Sequence, residues 1–137
     1  MSGDMTRNGG CLCGQVRYTA PAKPLAVVVC HCRDCQKQSG SALSLIAVFP
    51  RGELEFAGDI ACYEGHGESG KAVLRHFCAH CGSPIYSDNE LMQTRGILAV
   101  KAGTLDEVTD LAPQRHVWTA SKQPWFDAGD VPCIERE

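Results

Sequence analysis

A chain of 137 residues is long enough for one domain with a modest core. Its hydrophobic fraction of 44% and charged fraction of 21% are those of a globular protein and exclude a disordered or low-complexity chain. A net charge of −3 with both signs interspersed argues against a nucleic-acid partner. No window approaches the roughly 20 apolar residues of a membrane-spanning helix.

Residues 1–9 carry no apolar run and read as a flexible leader, neither signal peptide nor anchor, ahead of a single domain over 10–137. Short extended runs follow at 15–19, 25–29, 42–49, 54–56, 61–64, 73–77, 84–87 and 96–101. Glycine or proline stands at nearly every junction, as in Pro50-Arg51-Gly52 and Gly82-Ser83-Pro84. That spacing predicts an all-β, mainly antiparallel domain. Helices are expected to be short turns: one over 34–39, ended by Gly40, and one over 105–108, capped by Thr104 with Glu107 at its third position.

Seven of the nine cysteines fall into three clusters: Cys11 and Cys13, then Cys30, Cys32 and Cys35, then Cys78 and Cys81. The default compartment is a reducing cytoplasm, where such spacing points to metal binding or catalysis rather than disulfides. An odd total also fits poorly with a complete disulfide set. Zinc prefers four tetrahedral ligands in structural sites and keeps one position open in catalytic ones, so seven thiolates divide into a closed four and an open three. Glycine follows Cys13 and Cys81 directly, and a knuckle that turns sharply round a metal suits a residue tolerant of positive φ. Cys11, Cys13, Cys78 and Cys81 are therefore assigned to a structural zinc, and two ions per chain are expected.

In the middle cluster, strand alternation puts Cys30 and Cys32 on one side, and a helical turn brings Cys35 back to them. Such a set could hold a second zinc with an open position. The alternatives are a closed site completed by Cys62, Cys133, His66, His116 or His31, and redox thiols without metal. His31, between two ligands, should point away from them. Arg33, Lys37 and Arg75 could receive substrate carboxylates, each otherwise a solvated charge. His116 with Trp118 and Trp125 could line a pocket, or the tryptophans could be core.

The segments Gly10-Cys11-Leu12-Cys13-Gly14-Gln15-Val16-Arg17-Tyr18, Cys30-His31-Cys32-Arg33-Asp34-Cys35-Gln36-Lys37 and Arg75-His76-Phe77-Cys78-Ala79-His80-Cys81-Gly82-Ser83-Pro84 together resemble the glutathione-dependent formaldehyde-activating family. Gly103-Thr104-Leu105-Asp106 and His116-Val117-Trp118, followed by Ser121 and Trp125, are similar to its tail. The resemblance implies a zinc-pinned β-tent. It carries the structural zinc ligands onto Cys11, Cys13, Cys78 and Cys81, and the second zinc, with the catalysis, onto Cys30, Cys32 and Cys35. It also implies a carbon–sulfur lyase or synthase that joins glutathione, the small-molecule thiol partner, to formaldehyde as S-(hydroxymethyl)glutathione. A non-catalytic zinc module that binds a protein partner is the alternative, for which β-tent relatives are a precedent.

Overall fold

Glycine and proline punctuation cuts the chain into short extended runs, and in the computed structural model, which describes residues 6–136, most of these pair into sheets. Strands occupy Thr6–Gly10 (β1), Arg17–Pro21 (β2) and Ala26–Cys30 (β3), followed by helix Arg33–Ser39 (α1). Next come Ser44–Pro50 (β4), Glu55–Ala57 (β5), Ile60–His66 (β6), Ala72–Cys78 (β7) and Pro84–Asn89 (β8). Helix Glu90–Arg95 (α2) leads into Ile97–Lys101 (β9), and the short strands Arg115–Val117 (β10) and Cys133–Ile134 (β11) come last. One sheet has the order β1-β2-β5, and the other runs β11-β10-β3-β4-β9-β8-β7-β6. Pairing is antiparallel except where β10 lies parallel to β3 and β11. The protein is thus all-β and mainly antiparallel, with short helices. Among the described residues no helix is long and apolar enough to cross a membrane.

Register gives the large sheet two chemically different faces. Residues directly opposed on antiparallel strands share a face, and alternate residues along a strand return to it. Val27 opposes Ala47, Ala47 opposes Val100, Val100 opposes Tyr86, and Phe49 opposes Leu98. This apolar face packs on Val16, Tyr18 and Ala20 of the small sheet's hairpin to form the core. Phe56 stands between the sheets, 5.2 Å from the Tyr18 ring and 4.7 Å from Tyr86. Burying a residue such as Phe49 contributes about 1.5–3 kcal/mol. The opposite face carries Cys30 across from Ser44, Lys101 across from Ile46, and Arg75 across from Ser87. The sheet therefore presents its polar row away from the core.

Three features depart from the sequence expectations. Residues 6–9, expected in the leader, belong to β1, which pairs along its whole length with β2; residues 1–5 lie outside the described part. The run Thr-Arg-Asn-Gly-Gly has no apolar residue to signal a strand. Its glycine is nonetheless required, because a Cβ on Gly9 would lie 2.5 Å from the Tyr18 ring. The helical turn expected over 105–108 is absent. Thr104 ends a 3-10 turn instead, its hydroxyl donating to the Lys101 carbonyl and bonding the Tyr18 hydroxyl at 2.6 Å. Helix α2 was not expected at all. Asn89 caps it by accepting the Met92 N–H, and Gly96 ends it at φ +70. Six residues are too few to show a helical period.

Candidate metal centres

The first centre is built by two hairpin turns from different sheets. Cys11 and Cys13 lie between β1 and β2, and Cys78 and Cys81 lie where β7 turns into β8. Cys11 Sγ is 3.6 Å from Cys13 Sγ, which is 3.9 Å from Cys78 Sγ. All four sulfurs lie within 4.8 Å of one another. Thiolates at 2.3 Å in a tetrahedron would stand about 3.8 Å apart, so the donor set fits zinc without rearrangement.

The two turns are near copies. Gly14 N–H donates to the Cys11 carbonyl and Gly82 N–H to the Cys78 carbonyl, with φ of +84 and +81 at the two glycines. Backbone N–H groups then point at sulfur: Val16 at Cys11 (3.2 Å), and His80 and Cys81 at Cys78 (3.3 and 3.4 Å). At Cys11 burial opposes the charged thiolate, but the Val16 N–H and the neighbouring thiols outweigh it and lower that thiol below its ordinary value. The Ser83 hydroxyl and N–H hold the Cys81 thiol down to about 5. At Cys13 the N–H of Gln15 acts in the same sense, but burial and the crowd of neighbouring thiols outweigh it and push that thiol up to about 11. Gly82→Ala is expected to cost about 1–2 kcal/mol, because an L side chain resists this left-handed φ even though its Cβ would meet nothing within 4 Å. Urea unfolding of the metal-loaded protein reads this directly; an unchanged midpoint would remove the turn as the constraint.

The second centre comes from one local segment. Cys30 ends β3, Cys32 caps α1 by accepting the Cys35 N–H at 3.2 Å, and Cys35 sits in the first turn. Gly40, at φ +68, ends the helix as expected. Cys30 and Cys35 sulfurs are 3.2 Å apart, and all three lie within 4.8 Å. Cys30 and Cys35 are buried, whereas Cys32 is partly exposed, so the set opens to solvent on the Cys32 side. Crowded thiols cannot all ionise alone: the Cys30 and Cys32 thiols pull Cys35 down to about 2, while Cys32, Cys35 and burial push Cys30 up. Such a set could hold a divalent cation in place of its protons.

Among the described residues no fourth His, Cys, Asp or Glu joins this cluster. Cys62, Cys133 and His66 are exposed elsewhere. His31 turns into the interior, its Nε2 2.9 Å from His116 Nδ1 and its ring 4.8 Å from Phe126. Burial pushes both imidazoles below their ordinary range. The aromatic partner of His116 is thus Phe126, 5.4 Å away, while Trp125 is 71% exposed. Trp118 is half-buried in a left-handed conformation, with the Arg136 guanidinium 5.6 Å from its ring.

Two site neighbours escaped the sequence reading. Gln36 is buried, donates to the carbonyls of His31 (2.7 Å) and Ser121 (3.1 Å), and accepts from Gln123 (2.7 Å) and from Arg33. It ties the thiol-bearing turn to the C-terminal segment, and it engages Arg33, which the sequence left as either a carboxylate receiver or a solvated charge. Lys101 is buried on the polar face with its ammonium 2.7 Å from Ser44 Oγ. The available signal was a cation ending the apolar run Ile97–Lys101.

An antiparallel β protein with one four-thiol and one three-thiol cluster, each able to hold a metal ion, belongs to the class of cysteine-rich β domains. Its family is specific: the glutathione-dependent formaldehyde-activating enzyme family model matches residues 6–121, and the chain belongs to that family. Among solved structures, the crystal structure of a Rhodobacter sphaeroides protein shares the fold with a TM-score of 0.59, at 17% identity, over 93% of this chain and 99% of that one. Among curated proteins none matches.

Proposed function

We propose that the chain is a zinc-dependent carbon–sulfur lyase or synthase acting at Cys30, Cys32 and Cys35. Its reaction joins glutathione to formaldehyde as S-(hydroxymethyl)glutathione, or interconverts a related thiol–aldehyde pair. The carrying observation is the contrast between the two thiol sets: four close round one point, and three gather with no fourth protein donor and one partly exposed member. Cys30, Cys32 and Cys35 would hold a zinc with an open position, and that ion would supply the charge that acidifies an incoming thiol. In the reaction the thiol sulfur attacks the carbonyl carbon, one C–S bond forms, the C=O π bond becomes a single bond, and the proton lost from sulfur ends on that oxygen. Nothing is oxidised or reduced.

The chain's residues divide the remaining work. Cys30 and Cys35 anchor the centre in the interior, Cys32 marks its accessible side, and Gln36 fixes the turn that carries all three. His31, between two of the thiols in sequence, is held in the interior by stacking on His116, with Phe126 tilted against both rings. Cys11, Cys13, Cys78 and Cys81 hold a second, purely structural zinc. A reducing compartment suits nine unpaired thiols, and we place the protein in the cytoplasm. Zinc-edge X-ray absorption tests the reading: purified protein should carry two zincs, and glutathione should raise the mean sulfur count round them. An unchanged count would sink the thiol-capture step and leave the chain a closed zinc module.

A further inference from the structure

The polar face of the large sheet holds two cations in a row that contains no acid. Cys30 on β3 opposes Ser44 on β4; two residues along, Ile46 opposes Lys101 on β9. Lys101 shares its face with Ala99, which opposes Ser87 on β8, which opposes Arg75 on β7. No Asp or Glu occupies a position on this row, and among the described residues neither Lys101 nor Arg75 has a carboxylate within ion-pair distance. The Lys101 ammonium has the Ser44 hydroxyl as its hydrogen-bond partner. A buried charge without a counter-charge is costly, so this lysine calls for an anion.

The three-thiol centre supplies one. Three thiolates outweigh a divalent cation, so the loaded centre is itself a net anion. Lys101 lies two strands from Cys30 and two residues along, and Arg75 two strands further and two residues further along. Both side-chain charges are near enough to the Cys35 sulfur, and to each other, for their fields to reach. Burial falls off along the row: Cys30, Ser44 and Lys101 are buried, while Ser87 and Arg75 are half-exposed. Beyond Arg75 the same face continues into Val73 and Asn89, which line a cavity of about 790 Å³ with Trp118 and Arg136. The row is therefore closed at the thiols and open at its far end.

We propose that Lys101 and Arg75 make this face a site for an anionic thiol: Lys101 balances the thiolate sulfur entering the open centre, and Arg75 receives a carboxylate carried further along the same molecule. The inference rests on the open-centre reading above. Lys101, fixed by Ser44, sets how readily the centre takes up one more negative charge. Arg75 sets which thiols it prefers. Binding forms a metal–sulfur bond and breaks the S–H bond, the proton passing to solvent.

Cobalt-loaded full-length protein separates the two ideas, because a thiolate joining the open centre changes its visible absorption. The probes are glutathione and its diethyl ester, which share the thiol and peptide backbone but differ in carboxylate charge. Wild type should bind glutathione about tenfold or more tighter than the ester. Arg75→Gln should remove that preference and leave ester binding unchanged. Lys101→Met should weaken both by about tenfold or more, with Lys101→Arg recovering most of the loss. Ser44→Ala should give a smaller loss for both, and cobalt at the four-thiol centre reports that each variant is folded. If wild type shows no spectral change with either thiol, the open-centre reading itself falls. If wild type binds both thiols but the variants bind as it does, the two cations have no such role and the open centre stands.

Discussion

Cys78→Ser is expected to leave a chain that does not hold its tertiary structure at 25 °C. Serine keeps the shape, and Cys78 has no exposed surface, so neither a cavity nor a clash is the cause. What is lost is a thiolate that joins the β1–β2 hairpin of one sheet to the β7–β8 hairpin of the other. Structural zinc in small sites contributes about 10 kcal/mol or more, against a total stability of about 5–15 kcal/mol for an ordinary domain. Two backbone N–H groups would also lose their charged acceptor. The opposing possibility has a physical basis too, since Tyr18, Phe56 and Tyr86 knit the sheets together without metal. Near-UV circular dichroism and zinc content decide between them. A variant that has lost one zinc yet unfolds cooperatively within about 1 kcal/mol of wild type would show that the aromatic core, not the metal, pins the sheets.

The division of the cysteines was legible because its determinants are local. Gly14 and Gly82 adopt the positive φ that their place after Cys13 and Cys81 demands, and Gly40 ends α1 where the motif runs out. The all-β class was equally plain from punctuation. Residues whose role depends on distant partners were not. Lys101 gains its meaning from Ser44, 57 positions away, and from a register linking five strands. Thr104 looked like a helix cap because serine and threonine often are; the Tyr18 hydroxyl, 86 positions away, decided otherwise. Strand β1 was illegible for a related reason. Gly9 serves close approach to Tyr18 and Gly10 to the Val16 carbonyl and Arg17, and close approach leaves no apolar periodicity to read. The family motifs marked out the cysteines that cluster, whereas tertiary pairing determined their surroundings.

Cys35→Ser should do the reverse of Cys78→Ser, abolishing adduct chemistry while the fold persists. The three thiols sit within one short segment and join no two sheets, so losing their metal removes no cross-link between distant parts of the chain. β3 remains paired with β4 and β10 through its own backbone, and Gln36 still ties the turn to Ser121. Zinc content is expected to fall from two ions to one, with the thermal midpoint lowered by only a few degrees. Lewis-acid activation is worth several kcal/mol, and each 1.36 kcal/mol is a factor of ten, so the catalysed rate should drop by about a thousandfold or more. Thiols and formaldehyde also combine unaided, so the measurement must be the acceleration above that background. Exchange NMR between glutathione and its hydroxymethyl adduct provides it at equilibrium. Retention of the acceleration alongside one bound zinc would move the chemistry away from this centre. Loss of both zincs and of the fold would show instead that the three-thiol set is as structural as the four. The paired variants thus assign separate duties to the two sets: one is read by unfolding, the other by exchange rate.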